Sequence, residues 1–188
     1  MTPDTADTAA NLERRVREQE ALLEIGLELA ATLDLRRVLS LALTKAEEFC
    51  RAETSSIWEL DEAAGELFFR VVRGRAAPEI ENLRIPVGQG IVGAVAASGR
   101  AETINDVASD PRWRGDTSEE FDTRAILAVP LTARGKVIGV LQLLNPLESE
   151  GFSGDDLRRM QLFAGSVAHS LENARLYERE HERRRQLE

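Results

Sequence analysis

The sequence predicts an α+β fold, a central antiparallel sheet packed against long helices. Two features carry that expectation. Amphipathic helical patterns stand at both ends of the chain, and the middle holds two β-rich hairpins, each closed by a short turn containing glycine. One sheet face must meet the helices. The other is left to a glycine-rich segment and to the long connection over residues 105–124, and a ligand cavity would form there.

Residues 1–10 are small, polar and acidic, and are expected to be disordered. From Leu12 the pattern turns helical. Leu12, Val16, Gln19, Leu23, Gly26, Ala30 and Leu33 step by alternating fours and threes, the spacing of a heptad seam, with Leu22, Ile25 and Leu29 as a second apolar row. Residues 11–33 are therefore read as an amphipathic signalling or dimer helix. Asp34 is the expected N-cap of a second helix over roughly 35–50, with Val38, Leu39, Ala42, Leu43, Ala46 and Phe49 on its buried face.

Strand signals follow. TSSIWEL (54–60) and LFFRVVR (67–73) form a hairpin with Gly65 in its turn, and LRIPV (83–87) is a short third strand that Pro86 confines to an edge. In GQGIVGAVAASGR, Gly88 and Gly90 open a short helix and Gly99 stands where a left-handed C-terminal glycine belongs. Residues 101–104 read as a brief strand. Residues 105–124 are polar and loop-like, with Trp113 and Phe121 as their large apolar groups, and a loop of this length is usually functional or mobile. AILAVPL (125–131), the turn TARGK and VIGVLQLLN (137–145) make the clearest hairpin. Ser153 is the expected cap of the last helix, on which Leu157, Met160, Ala164, Val167, Leu171 and Ala174 form a second heptad seam. Beyond Tyr177 the pattern dissolves into EREHERRRQLE, so residues 179–188 read as a charged helical linker to an output domain.

Composition narrows the function. The 188 residues are 30% charged and 43% hydrophobic, which suits one compact domain with helical extensions. With 33 acidic against 24 basic residues the net charge is −9, and no nucleic-acid partner is expected. No window approaches the roughly 18 apolar residues that cross a bilayer, and MTPDTADTAA lacks the apolar core of a secretory signal. Cys50 is the single cysteine, which forbids an intramolecular disulfide and any multi-cysteine metal site. A reducing cytoplasm is the expected location.

The run LRIPVGQGIVGAVAASGRAETINDVASDPRW, followed by RAILAVPLTARGKVIGVLQLLN and a long terminal helix, resembles a GAF domain. LDLRRVLSLALTKAEEFCRAETSSIWELDEAAGELFFRVV precedes them in matching order; the likeness covers roughly residues 20–178, with the domain proper at 34–178. The resemblance implies a GAF-like antiparallel sheet with an end-helix bundle on one face, and short helices and loops roofing a small-molecule pocket on the other. It implies a regulatory sensor that dimerises through its terminal helices. The last helix would lead to an output domain such as a histidine kinase, a diguanylate cyclase or a PP2C-type phosphatase.

Chemistry of other kinds finds little support. His169 and His181 fall on the terminal helix and read as surface residues, and Cys50 reads as a small hydrophobe. Bilin-carrying relatives use a pocket cysteine, haem-binding relatives a pocket histidine, and relatives that reduce free methionine sulfoxide several cysteines. None of these is present here, so no enzymatic activity, cofactor or resident metal is expected. Cyclic-nucleotide-binding relatives carry Asn-Lys, then a Phe, three residues and Asp-Glu. Here Asn145 is followed by Pro146, and Phe152 by Asp156 and Leu157, so the Lys–Asp ion pair of that subclass is lost and cyclic nucleotide is not favoured. Phe152 and Asp156 then read as a hydrophobic staple and a first-turn acid. Gly88 and Gly90 read as turn geometry rather than an anion site. The acids Asp106, Asp110, Asp116, Glu119, Glu120 and Asp122 lack the pattern of a calcium loop and read as solvated.

The expected pocket wall is the helix at 90–97, the loop 105–121 and strand 125–129. Ile91, Val92, Val95, Trp113, Phe121 and Ala128 are the candidates for its apolar lining, and Asn105 and Asp106 for polar anchors, toward an unknown small molecule. The alternative is a ligand-free dimerisation module in which Trp113, Phe121, Ile91 and Val95 collapse inward. A homodimer is expected either way, because Leu12 and Val16 would stay in water in a monomer. Burying such a side chain contributes roughly 1.5–3 kcal/mol. Association costs an estimated 4–15 kcal/mol, so the pairing must use most of both seams.

Overall fold

The computed structural model describes residues 15–17, 35–73, 83–116 and 121–185. Helix α1 (Leu35–Cys50) presents Val38, Leu39, Ala42, Leu43 and Ala46 on one stripe, all of them buried, with Phe49 half-buried at its end. Six strands follow in one sheet: β1 (Ala52–Asp61), β2 (Glu66–Val72), β3 (Arg84–Pro86), β4 (Glu102–Ile104), β5 (Ile126–Ala133) and β6 (Lys136–Pro146). Their order is β3-β2-β1-β6-β5-β4, and every neighbouring pair is antiparallel. Pro86 lies in an edge strand, where its missing N–H costs no central ladder bond.

The turn of the β5–β6 hairpin is tighter than the expected TARGK. Thr132 and Ala133 pair with Val137 and Lys136, leaving only Arg134 and Gly135 at the tip. Both have positive φ, 50° and 77°, as a two-residue turn matched to strand twist requires.

Period-two alternation divides the sheet's side chains between two clusters. Ile57, Leu127, Val129, Leu131, Leu141 and Leu143 pack against α1 and the terminal helix, α3 (Gly154–Arg185). Trp58, Leu67, Ile126, Ala128 and Val140 meet α2 (Gly90–Ser98) on the opposite face. Helix α2 ends at Gly99, whose φ of 64° and N–H to Val95 O form the left-handed stop. A short 3-10 helix (Val107–Ser109) interrupts the long connection and buries Val107, which a uniformly polar loop would not do.

Helix α3 begins with a reciprocal cap. Ser153 N and Oγ both donate to Asp156 Oδ2, at 2.8 and 2.6 Å, while Asp156 N donates to Ser153 Oγ. Phe152 and Leu157 on either side join the same apolar cluster, as a hydrophobic staple does. The second heptad seam, however, is used within the chain. Met160, Ala164, Val167 and Leu171 are buried against the sheet and α1, so they are not available to a partner. Heptad spacing marks a buried row without saying whose surface buries it. Exposed instead are Leu162, Leu176 and Tyr177. Of the first seam only Val16 is described, in a helical turn and 44% exposed; its other members, Asp34 and residues 1–10 lie outside the described residues.

Far along α3, Arg175 crosses to the sheet. Its Nε and Nη2 donate to Glu59 Oε1 at 2.7 and 2.5 Å, and Nη2 also reaches the carbonyls of Leu60 and Ile138. Arg70 Nε stands 3.2 Å from the other Glu59 oxygen. The pair is mostly buried, where losing one partner is costly.

Cys50, at the end of α1, is buried, and burial pushes its thiol up to about 12, with Asp156 adding to the shift and Arg159 opposing it. The expected outcome is no reaction with a thiol reagent at pH 8 until urea unfolds the chain. Because the folded value lies above the ordinary 9.0, the neutral thiol's contribution is intact below about pH 9 and is lost as pH rises toward 12. A urea midpoint measured across that range checks the direction.

Candidate functional site

A cavity of about 350 Å³ opens between the second sheet face, α2, β3 and residues of 112–116 and 121–123. Central strands supply its floor: Trp58 from β1, Phe69 from β2, Ile126 from β5, and Gln142 and Leu144 from β6. Ile91 and Val92 of α2 line it, as do Trp113 and Phe121 of the long connection. The Trp58 and Phe69 rings lie against each other with centroids 3.6 Å apart.

One polar side chain sits among these apolar groups. Gln142 is only 8% exposed; its Oε1 accepts from Trp58 Nε1 at 2.9 Å and from Ser56 Oγ at 3.2 Å. Among the described residues none accepts from its Nε2, which is left to the cavity it lines. A donor held in an apolar wall by a satisfied acceptor is a fixed recognition group.

Three arginines stand at the rim, Arg84, Arg112 and Arg114. Arg84 pairs with Asp61 and Glu66 and lies over the Phe68 ring. Arg112 grips Asp110 through Nε and Nη2, at 3.0 and 2.7 Å, and reaches Glu102 at 2.8 Å. The Arg112 hydrogen bonds hold the Asp110 carboxyl below its usual range, and Asp110 with Glu102 raises the guanidinium further. Asp61 is lowered as well, by the Ala64 N–H first and then by Arg84. Asp116 accepts from both the N–H and the hydroxyl of Thr123. Asp110 and Asp116 are thus engaged rather than simply solvated. Arg114 differs: it is exposed, and among the described residues no acid pairs with it.

Four of the expected lining residues, Ile91, Val92, Trp113 and Phe121, come together here. Val95 and Ala128 do not reach the cavity; both are fully buried in the packing beneath α2. Ala128 stands across from Gln142, whose longer side chain reaches the cavity in its place. Asn105 is no ligand anchor. Its Oδ1 accepts from Phe152 N at 2.8 Å and its Nδ2 donates to Phe152 O at 3.0 Å, which ties β4 to the start of α3. Asp106 accepts from Ser109 Oγ at the surface and lies off the cavity.

The three residues retained from the cyclic-nucleotide pattern are also structural. Asn145, with φ at 52°, accepts from Arg124 N and Ala125 N and donates to Asp122 O and Glu53 Oε2. Phe152 is buried in the helix-side cluster, and Asp156 caps α3.

A family model described as GAF domain matches residues 34–171. The GAF domain of a phosphoenolpyruvate-protein phosphotransferase from Coxiella burnetii superposes with a TM-score of 0.76 at 20% identity, covering 85% of this chain and 95% of that one. Free methionine-R-sulfoxide reductase from Neisseria meningitidis, in complex with its substrate, gives 0.70 at 24% identity, with 85% and 91% covered. A probable 3',5'-cyclic phosphodiesterase, pde-5, of Caenorhabditis elegans is 24% identical over 94% of this chain and 26% of its own length. The dual 3',5'-cyclic-AMP and -GMP phosphodiesterase 11 of Drosophila melanogaster is 26% identical over 88% of this chain and 12% of its own length. The chain therefore spans 26% and 12% of the length of these curated relatives.

Proposed function

Taking as premise that the chain belongs to the GAF domain family, we propose that it is a sensory module in which a small molecule held in the cavity regulates an attached output domain through α3. One observation supports this most. Trp58 lines the cavity, and the next residue, Glu59, holds Arg175 of α3 on the opposite face. Strand alternation makes that opposition automatic. A β-carbon at Gly139 would collide with the Trp58 carbonyl oxygen, so β6 lies close against β1 at this point and little slack separates the two faces. A ligand that displaces Trp58 would shift Glu59, and with it the helix leading to residues 179–188. Small displacements of packed helices are a common currency of such switches.

In this reading the domain is cytoplasmic and acts without catalysis, cofactor or resident metal of its own. Its output is a histidine kinase, a diguanylate cyclase or a PP2C-type phosphatase. Among the described residues no helix is long and apolar enough to cross a membrane. The ligand-free alternative has Trp113, Phe121, Ile91 and Val95 collapse inward; Val95 is packed beneath α2, but the other three line an open cavity, which supports a ligand. Native mass spectrometry of the chain purified from its own host tests the reading. The expected result is a retained small molecule, absent from a cavity-filling Ile91→Trp variant; bare chain in both cases would support the dimerisation module instead.

On α3 the proposed homodimer takes a row different from the second heptad seam, alongside the first seam of Leu12 to Leu33. Leu162, His169 and Leu176 recur every seven residues on the outer face of α3, and the two leucines are 62% and 42% exposed. Sedimentation at micromolar concentration should give a dimer, and Leu162→Glu with Leu176→Glu a monomer of unchanged thermal stability. A dimer that survives both substitutions would remove α3 as the seam.

A further inference from the structure

From the cavity's lining we infer that its ligand is a flat aromatic or heteroaromatic carboxylate, with a ring-borne hydrogen-bond acceptor taken by Gln142 Nε2 and the anionic group met at the rim by Arg114. The inference rests on the cavity being the sensory site and names what that site selects. Flatness follows from the rings: both of the chain's tryptophans and two of its six phenylalanines line this one space. Aromatic faces favour stacked or edge-on aromatic partners beyond the area they bury.

Polarity sets the ends of the ligand. Gln142 Oε1 is already committed to Trp58 and Ser56, so the amide offers the cavity a donor and no acceptor. A ligand atom beside it must therefore accept. At the rim, Arg84 and Arg112 are neutralised by acids of their own, and Asp116 is occupied by Thr123. Among the described residues, Arg114 is the rim guanidinium with no acid paired to it, so its N–H donors are open to a ligand. A carboxylate is the group that meets a guanidinium's parallel donors best. Among the described residues the lining supplies no further uncommitted carboxylate for a ribose, which separates this ligand class from a nucleotide.

Kynurenate is a suitable probe, because one bicyclic ring carries both a carbonyl acceptor and a carboxylate. Calorimetry on the full chain should show one site per chain. Quenching of tryptophan fluorescence provides a local readout, since Trp58 and Trp113 are the only tryptophans. Neutral 4-quinolone and 2-naphthoate, which has no ring-borne acceptor, should each bind about tenfold more weakly, the effect of one hydrogen bond or one ion contact. Arg114→Gln, at an exposed position, should abolish the preference for kynurenate over 4-quinolone and leave the fold intact. Gln142→Glu keeps the acceptor for Trp58 but removes the donor, and should abolish the preference for kynurenate over 2-naphthoate.

Failure of kynurenate, 4-quinolone and 2-naphthoate alike to bind at about 1 mM, some 4 kcal/mol of affinity, would overturn the proposal. So would equal binding of 4-quinolone and kynurenate, or tighter binding of cyclic AMP or decanoate. A small molecule retained in native mass spectra alongside any of those results would leave the sensory reading standing and remove only the ligand class. Bare chain in the spectra with no probe bound would remove both.

Discussion

Asn145→Ala is expected to lower the unfolding free energy by about 3 kcal/mol, although the side chain touches neither the cavity nor a helix core. Asn145 occupies the left-handed region at the end of β6 and satisfies all four of its hydrogen-bonding positions at once. Truncation strands the Ala125 N–H, which is fully buried, and the Asp122 carbonyl, and places alanine where φ is positive. Asn145→Asp keeps the two acceptor bonds but sets an oxygen against Asp122 O and Glu53, so an intermediate loss of about 2 kcal/mol is expected. Urea unfolding decides the matter; a loss under about 1 kcal/mol for the alanine variant would mean that these bonds are not formed in solution.

The second large effect concerns the helix that leaves the domain. Arg175→Leu should cost about 3 kcal/mol, toward the lower end for breaking a buried pair because Arg70 still faces Glu59. Two carbonyls, of Leu60 and Ile138, lose a donor as well. Adding Glu59→Leu should restore most of the loss, since an apolar pair replaces a buried ionic one at little net cost. Hydrogen exchange offers a local readout: α3 beyond Leu171 should lose protection in the single variant and regain part of it in the double. If the single variant melts with the native protein and keeps its protection there, Arg175 is not what anchors the helix.

Much of the fold is legible because its signals are local. The stripe of α1, the Ser153 cap, Gly99 and the edge position of Pro86 each follow from residues within a turn or two of one another. The site is less legible because β1 and β6 are covered on both faces. Residues 54–59 are all buried, so no alternation of apolar and polar residues marks which of them looks into the cavity. A bulge between Ile57 and Trp58 on the β2 side shifts the register there too. Trp58 and Gln142 were hidden for that reason. Asn105 misled in the opposite direction, since a polar residue beside a cavity wall looks like an anchor until its two bonds to Phe152 are seen. The α3 seam was visible as a period and invisible as a destination.

The strand order has a consequence for how the protein is made. The two central strands, β1 and β6, come from opposite ends of the sheet's sequence, with Ile57 paired to Leu141. On a ribosome, β1 and β2 emerge and can form their hairpin, but the inner edge of β1 has no neighbour until β6 has been translated. That edge carries unpaired backbone groups beside Ile57 and Trp58, a combination that invites pairing with another nascent chain. Folding must therefore wait for synthesis to pass residue 146, and a chain halted at the Arg134–Gly135 turn should be an aggregation-prone product rather than a smaller domain.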